Sequence, residues 1–116
     1  MLTPLEQAVI DMLLEKQGEP FAIIREQLLH ATIAERRFTG AGFFTDFVIP
    51  PDAPVRRDLA DMTIGDVVAK FPSLQHGASF LLFIRGGVVS MLEGYTYDES
   101  WPASTDEFSL HRYEAA

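Results

Sequence analysis

Phe80-Leu81-Leu82-Phe83-Ile84-Arg85-Gly86-Gly87-Val88-Val89-Ser90-Met91-Leu92 is the stretch on which the fold turns. Two β-prone runs flank a Gly-Gly pair. Glycine takes two consecutive positive φ angles without strain, so the pair predicts a tight two-residue hairpin. Residues 80–84 are apolar at every position, which predicts a central strand covered on both faces. Helices can cover one side. The other needs a loop, the C-terminal segment or a second copy of the chain, and the expectation is a homodimer.

Working outward, residues 43–49 alternate: Phe43, Thr45, Phe47 and Ile49 face one way, and Phe44, Asp46 and Val48 the other. Residues 32–39 read as a strand with Glu35 and Arg37 on one side and Ala34 and Phe38 on the other, joined to the next by a Gly40-Ala41-Gly42 turn or bulge. Residues 63–71 read as one short strand stopped by Pro72, and 108–113 as an edge strand. Pro50-Pro51-Asp52-Ala53-Pro54 is a stiff connector that cannot join a sheet interior.

The N-terminal third has a different period. Thr3, Pro4 and Glu6 form a capping signal, and Leu5, Ala8, Val9, Met12 and Leu13 recur on one helical stripe. Gly18 and Pro20 end that helix. A second helix runs from residue 20 or 21 to about 29, with Phe21, Ile24, Leu28 and Leu29 on a shared face. The expected fold class is therefore α+β: one domain over residues 1–116, with an N-terminal helical hairpin packed on a mostly antiparallel sheet of about five strands.

Composition narrows the chemistry. With no cysteine, disulfides, thiolate nucleophiles and cysteine-ligated metals are excluded. His30, His76 and His111 are scattered and match no metal-ligand spacing, and the glycine-rich 40–42 segment has no phosphate-binding lysine. No cofactor is expected. A net charge of −8 disfavours nucleic acid and anionic membranes and admits a basic protein partner. With no basic and apolar leader and no long apolar run, the expected location is the cytoplasm.

The segment from Glu93 to Pro102 concentrates candidate binding residues: Glu93, Tyr95, Tyr97, Asp98, Glu99 and Trp101. Tyrosine and tryptophan anchor interfaces, and the carboxylates around them select a cationic partner. Between Gly86 and His111 there are acids but no lysine or arginine. This points to an acidic protein-interaction module, of which an inhibitor or immunity-type protein is one form, and away from an enzyme. The same residues could equally lid the core. The alternative is a small-molecule-binding or enzymatic pocket near the central hairpin, where His76 and Glu93 would meet in one cleft.

Residues 37–47, 76–84 and 91–102 together resemble a group of small bacterial proteins with no established activity. The resemblance implies a small cytoplasmic domain and carries over no functional residue.

Overall fold

The computed structural model describes residues 2–113. Helix α1 spans Pro4–Leu13 and α2 spans Phe21–His30. The strands are β1 (Thr32–Phe38), β2 (Gly42–Val48), β3 (Met62–Ile64), β4 (Val67–Lys70), β5 (Ala78–Arg85), β6 (Val88–Thr96) and β7 (Ser109–Arg112). They form one antiparallel sheet in the order β1-β2-β6-β5-β4-β7, with β3 on the same edge of β5 as β4. The α+β class and the antiparallel sheet agree with the sequence. The strand number does not: the described residues form 7 strands rather than about five. Part of the difference is that residues 63–71 fold as two strands. Gly65 and Asp66 interrupt them where the backbone comes so close to β5 that a Cβ on Gly65 would lie 2.8 Å from the Phe80 carbonyl oxygen.

The local signals behave as their chemistry requires. The Thr3 hydroxyl accepts from the Glu6 N–H, and the Glu6 carboxylate accepts from the Thr3 N–H, which closes the capping box. Gly86 and Gly87 both have positive φ, at 61° and 81°. The second helix departs from its sequence reading. Ile24 and Gln27 are its buried residues, whereas Leu29 is 78% exposed.

Both helices lie on one face of the sheet. That face supplies Phe43, Val67, Ala69, Phe80, Leu82, Ile84, Val89 and Leu92 to a core closed by Leu5, Val9, Ile10, Leu13 and Ile24. Phe43, Phe80 and Phe71 surround Trp101 with ring centroids 5.1, 6.3 and 5.8 Å away. Gly94 makes room for them, since a Cβ there would sit 2.4 Å from the Phe43 ring. One ion pair enters this layer. Glu6 is 2% exposed, and its carboxylate accepts two bonds from Arg36 on β1, at 2.6 and 3.0 Å, one from Thr45 on β2 at 2.5 Å, and one from the Thr3 N–H at 2.8 Å.

Among the described residues, no helix lies on the other face of the sheet. In register, its middle rows read Glu35, Asp46, Met91, Phe83, Thr63 and then Arg37, Phe44, Glu93, Leu81. The two-sided cover expected for residues 80–84 is therefore present on one side only. Phe80, Leu82 and Ile84 are at most 1% exposed, while Leu81 and Phe83, on the open side, keep partial exposure.

Candidate functional site

The structure divides the Glu93 to Pro102 segment between the two faces. Strand alternation puts Glu93 and Tyr95 on the open face, with Tyr97 just beyond the strand end on the same side. The chain then turns at Asp98, whose φ of 57° is left-handed, and crosses toward the helical layer. Trp101 ends there, its N–H donating to the Gly40 carbonyl at 2.7 Å and its ring packed among phenylalanines. Trp101 is thus part of the core lid, and the reading of it as an exposed anchor is corrected. Glu99 has a local task as well. Its carboxylate accepts from the Gln75 and His76 N–H groups at 3.0 and 2.9 Å, which hold it below the usual carboxylate range. Asp98 is exposed and makes no side-chain contact of this kind.

His76 and Glu93 do not meet. His76 lines a concavity with His111, Lys70, Gln75 and Gly77, to which Glu93 does not contribute. Glu93 pairs with Leu81, five residues further along the chain than His76, or about 16 Å at roughly 3.3 Å per strand residue. The shared acid–base cleft required by the alternative reading is not formed. Among the described residues, no group of three or more histidines and carboxylates is placed to hold a metal ion.

What remains on the open face is a coherent arrangement. Glu93 has Phe44 on one side and Leu81 on the other. Among the described residues, no hydrogen bond or ion pair reaches its carboxylate. Burial raises its pKa above the ordinary value, because the apolar neighbours replace water without offering a donor. Arg37 and Arg85, which stack on aromatic rings of this face, are engaged elsewhere. Arg37 bonds Asp46 at 3.0 Å and stacks over Phe44, while Arg85 stacks over Phe83 and donates to the Met62 carbonyl. Beside Glu93 the face dips into a hollow of about 270 Å³, lined by Leu81, Ser79, Tyr95, Tyr97 and Tyr113 above Phe80. The Tyr97 hydroxyl hydrogen-bonds Ser79, and the Tyr95 and Tyr97 rings meet at 71° with centroids 5.6 Å apart. Burial is the first cause that raises the Tyr95 phenol pKa, so the ring stays neutral at physiological pH.

The sequence names Glu93, Tyr95 and Tyr97 as candidates, whereas Leu81, Phe83, Ser79 and Tyr113, which lie on the same side of the sheet, are not among them. The signal for Leu81 and Phe83 was present, since an all-apolar strand must expose half its side chains to something. The signal for Tyr113 was not, because its place depends on β7 pairing with β4 across more than forty residues. A larger hollow of about 620 Å³ lies between the helices over Ile10, Leu14 and Leu28, where Arg25 donates to the Leu14 and Lys16 carbonyls and ties α2 to the segment after α1.

Searches against protein-family models, curated proteins and solved structures find no match to this chain. Among the described residues no helix is long and apolar enough to cross a membrane.

Proposed function

We propose that the protein is a cytoplasmic interaction module whose docking surface is the open face of the sheet, and that its partner is basic. One observation carries the reading. Among the described residues, Glu93 is a carboxylate without a hydrogen-bond or ion-pair partner, set between Phe44 and Leu81 on a face that no helix covers. An anion held partly out of water without a donor is strained electrostatically, and a lysine or arginine from a partner relieves that strain as it docks. Phe44, Leu81, Phe83, Met91 and Tyr95 supply the apolar contact around it, and the chain's net charge of −8 steers a cation toward it. Inhibition of a basic protein is the form of function that fits best.

The test is a photo-crosslinking residue at position 81, with position 29 on the helical side as control. The expected result is a crosslink from position 81 to a protein rich in lysine and arginine, weakened by Glu93→Gln and by high salt. Crosslinks confined to position 29 would move the interface to the helices and overturn the reading.

The exposed parts of Leu81 and Phe83 also support a second reading, in which another copy of the chain covers this face. Sedimentation equilibrium at micromolar concentration distinguishes the two. A species at twice 13.0 kDa favours the homodimer, and a single 13.0 kDa species removes it.

A further inference from the structure

The hollow beside Glu93 has a shape and chemistry that the docking face alone does not require. Three tyrosines surround it. The Tyr95 and Tyr97 rings stand at 71° to one another, and Tyr113 lines the hollow with them. Two of the three are unusually exposed for aromatic side chains, Tyr97 at 43% and Tyr113 at 67%. The Ser79 hydroxyl fixes the Tyr97 ring in place through its hydrogen bond, so that wall is preorganised. Among the described residues no lysine, arginine or histidine lines the hollow, and the carboxylate that does, Asp66, is already taken by the Arg112 guanidinium at 2.9 and 3.0 Å. At about 270 Å³ it is below the range of roughly 300–1,000 Å³ typical of drug-sized ligands, so it suits one compact group.

We propose that this hollow is an aromatic cage for a methylated ammonium group, with Tyr95, Tyr97 and Tyr113 as its walls and Glu93 as the anion at its rim. The physical case rests on the aromatic faces. A ring presents negative quadrupole density to a cation, and a methylated ammonium loses less hydration than a primary ammonium when it leaves water. A primary ammonium instead demands hydrogen-bond acceptors on all sides, and tyrosine faces do not provide them. Glu93, two residues before Tyr95 and paired with Leu81 at the edge of the hollow, contributes charge at a short distance without entering the cage.

The methylated ammonium has two sources, a free choline-like molecule and a methylated lysine on a partner protein. The inference rests on the open face being the docking surface and specifies what that surface reads.

The experiment is calorimetric titration of the intact protein with four probes. They are choline, its neutral carbon isostere 3,3-dimethylbutan-1-ol, and a short peptide carrying either trimethyllysine or unmodified lysine. The expected result is binding of choline at least tenfold tighter than of the isostere, and of the trimethyllysine peptide over the lysine peptide by a similar factor. The two charged probes identify the source: choline alone indicates a free ligand, and a peptide preferred over choline indicates a partner's side chain. Tyr95→Leu keeps apolar bulk but removes a π face, and should abolish the preference for charge. Tyr97→Leu is the second variant should the first unfold on circular dichroism.

Equal affinity for choline and its isostere, or no binding of either methylated probe, overturns the cage. So does an unmodified lysine peptide that binds as well as the methylated one. The crosslink from position 81 reads the docking face independently, so the cage can fail while that surface stands. A lost crosslink with choline still bound would separate the two in the opposite sense.

Discussion

Glu6 and Glu93 are carboxylates on opposite faces of one sheet, and their surroundings differ in the respect that matters. Each is drawn partly out of water, and for each burial is the largest influence and pushes the pKa up. For Glu6 the two arginine bonds, the threonine hydroxyl and the cap N–H together outweigh burial, so its carboxyl titrates below the ordinary value. For Glu93 nothing opposes burial, and its pKa stays high. The helical face is a completed interior: among the described residues, no buried side-chain nitrogen or oxygen lacks a hydrogen-bond partner. The open face holds apolar side chains and an anion whose partners are missing. A chain that satisfies one buried carboxylate with four donors shows what this fold does with a structural charge, and Glu93 is not treated that way.

The sharpest way to break this comparison uses two neighbours on β5. Leu82 points into the helical core with no exposure, and Leu81 points to the open face. Leu82→Ala should cost about 2–5 kcal/mol from lost burial and the cavity left behind, and Leu81→Ala about 1 kcal/mol or less. Equilibrium urea unfolding of both variants measures the difference. If the Leu81 variant is as unstable as the Leu82 variant, and more so on dilution, a second copy covers the open face.

Next in size is the partner of Glu6. Arg36→Met should destabilise by about 2–3 kcal/mol. That is below the range of about 3–5 for fully buried pairs, because the arginine side chain is 28% exposed. The loss should be greatest near neutral pH. A carboxyl whose folded pKa is depressed contributes stability above its unfolded value, about 4.3, and gives it up as pH falls through the folded value. Thermal unfolding from pH 3 to pH 7 checks this, and a pH-independent difference would mean that Arg36 acts by packing alone.

Glu93 gives the smallest effect, and one of opposite sign. Its folded pKa is raised, so ionising it costs stability. The cost is absent below the unfolded value and appears as pH rises through the folded one. Glu93→Gln should therefore melt a few degrees higher than the parent at pH 7 and equal to it near pH 3, the scale of a change under about 1 kcal/mol in a domain of this size. Stabilisation together with lost partner binding would mark a residue kept for recognition at the expense of stability. An unchanged melting point at pH 7 would place Glu93 in ordinary solvent and remove the contrast with Glu6.

Much of the fold was legible because the signals are local. The Thr3 capping box, the Gly86-Gly87 turn and the alternation of residues 43–49 each depend on a few adjacent residues. The site was legible only in part. Alternation along β6 sets Tyr95 on the same side as Glu93, but it stops where β6 ends, and nothing in Asp98-Glu99-Ser100 announces that the chain then changes sides and takes Trp101 into the core. Arg36 carries no local signal of which acid it meets. That the acid is Glu6, thirty residues earlier and already used as a helix cap, follows only from the packing of α1 on β1 and β2. Likewise, Gln27 was unremarkable in the sequence, yet it is a fully buried residue of α2.

That glutamine has a consequence for the segment of residues 49–61, which has no helix or strand and contains three prolines. Its amide donates to the Pro54 carbonyl at 3.0 Å and to the Gly87 carbonyl at 2.8 Å, and accepts from the Val89 N–H at 2.9 Å. The Asp61 carboxylate accepts from the Gly86 N–H at 2.9 Å, and the Arg56 carbonyl lies so close to Gly87 that a Cβ there would be 2.2 Å from it. An irregular connector tied to the hairpin by one direct hydrogen bond and by a bridge through Gln27, and packed against Gly87, resists peeling away to fit an extended peptide-cleaving groove. The stretch that composition marks as the natural place for a protease to nick the chain is therefore withheld from it for as long as the hairpin turn is intact.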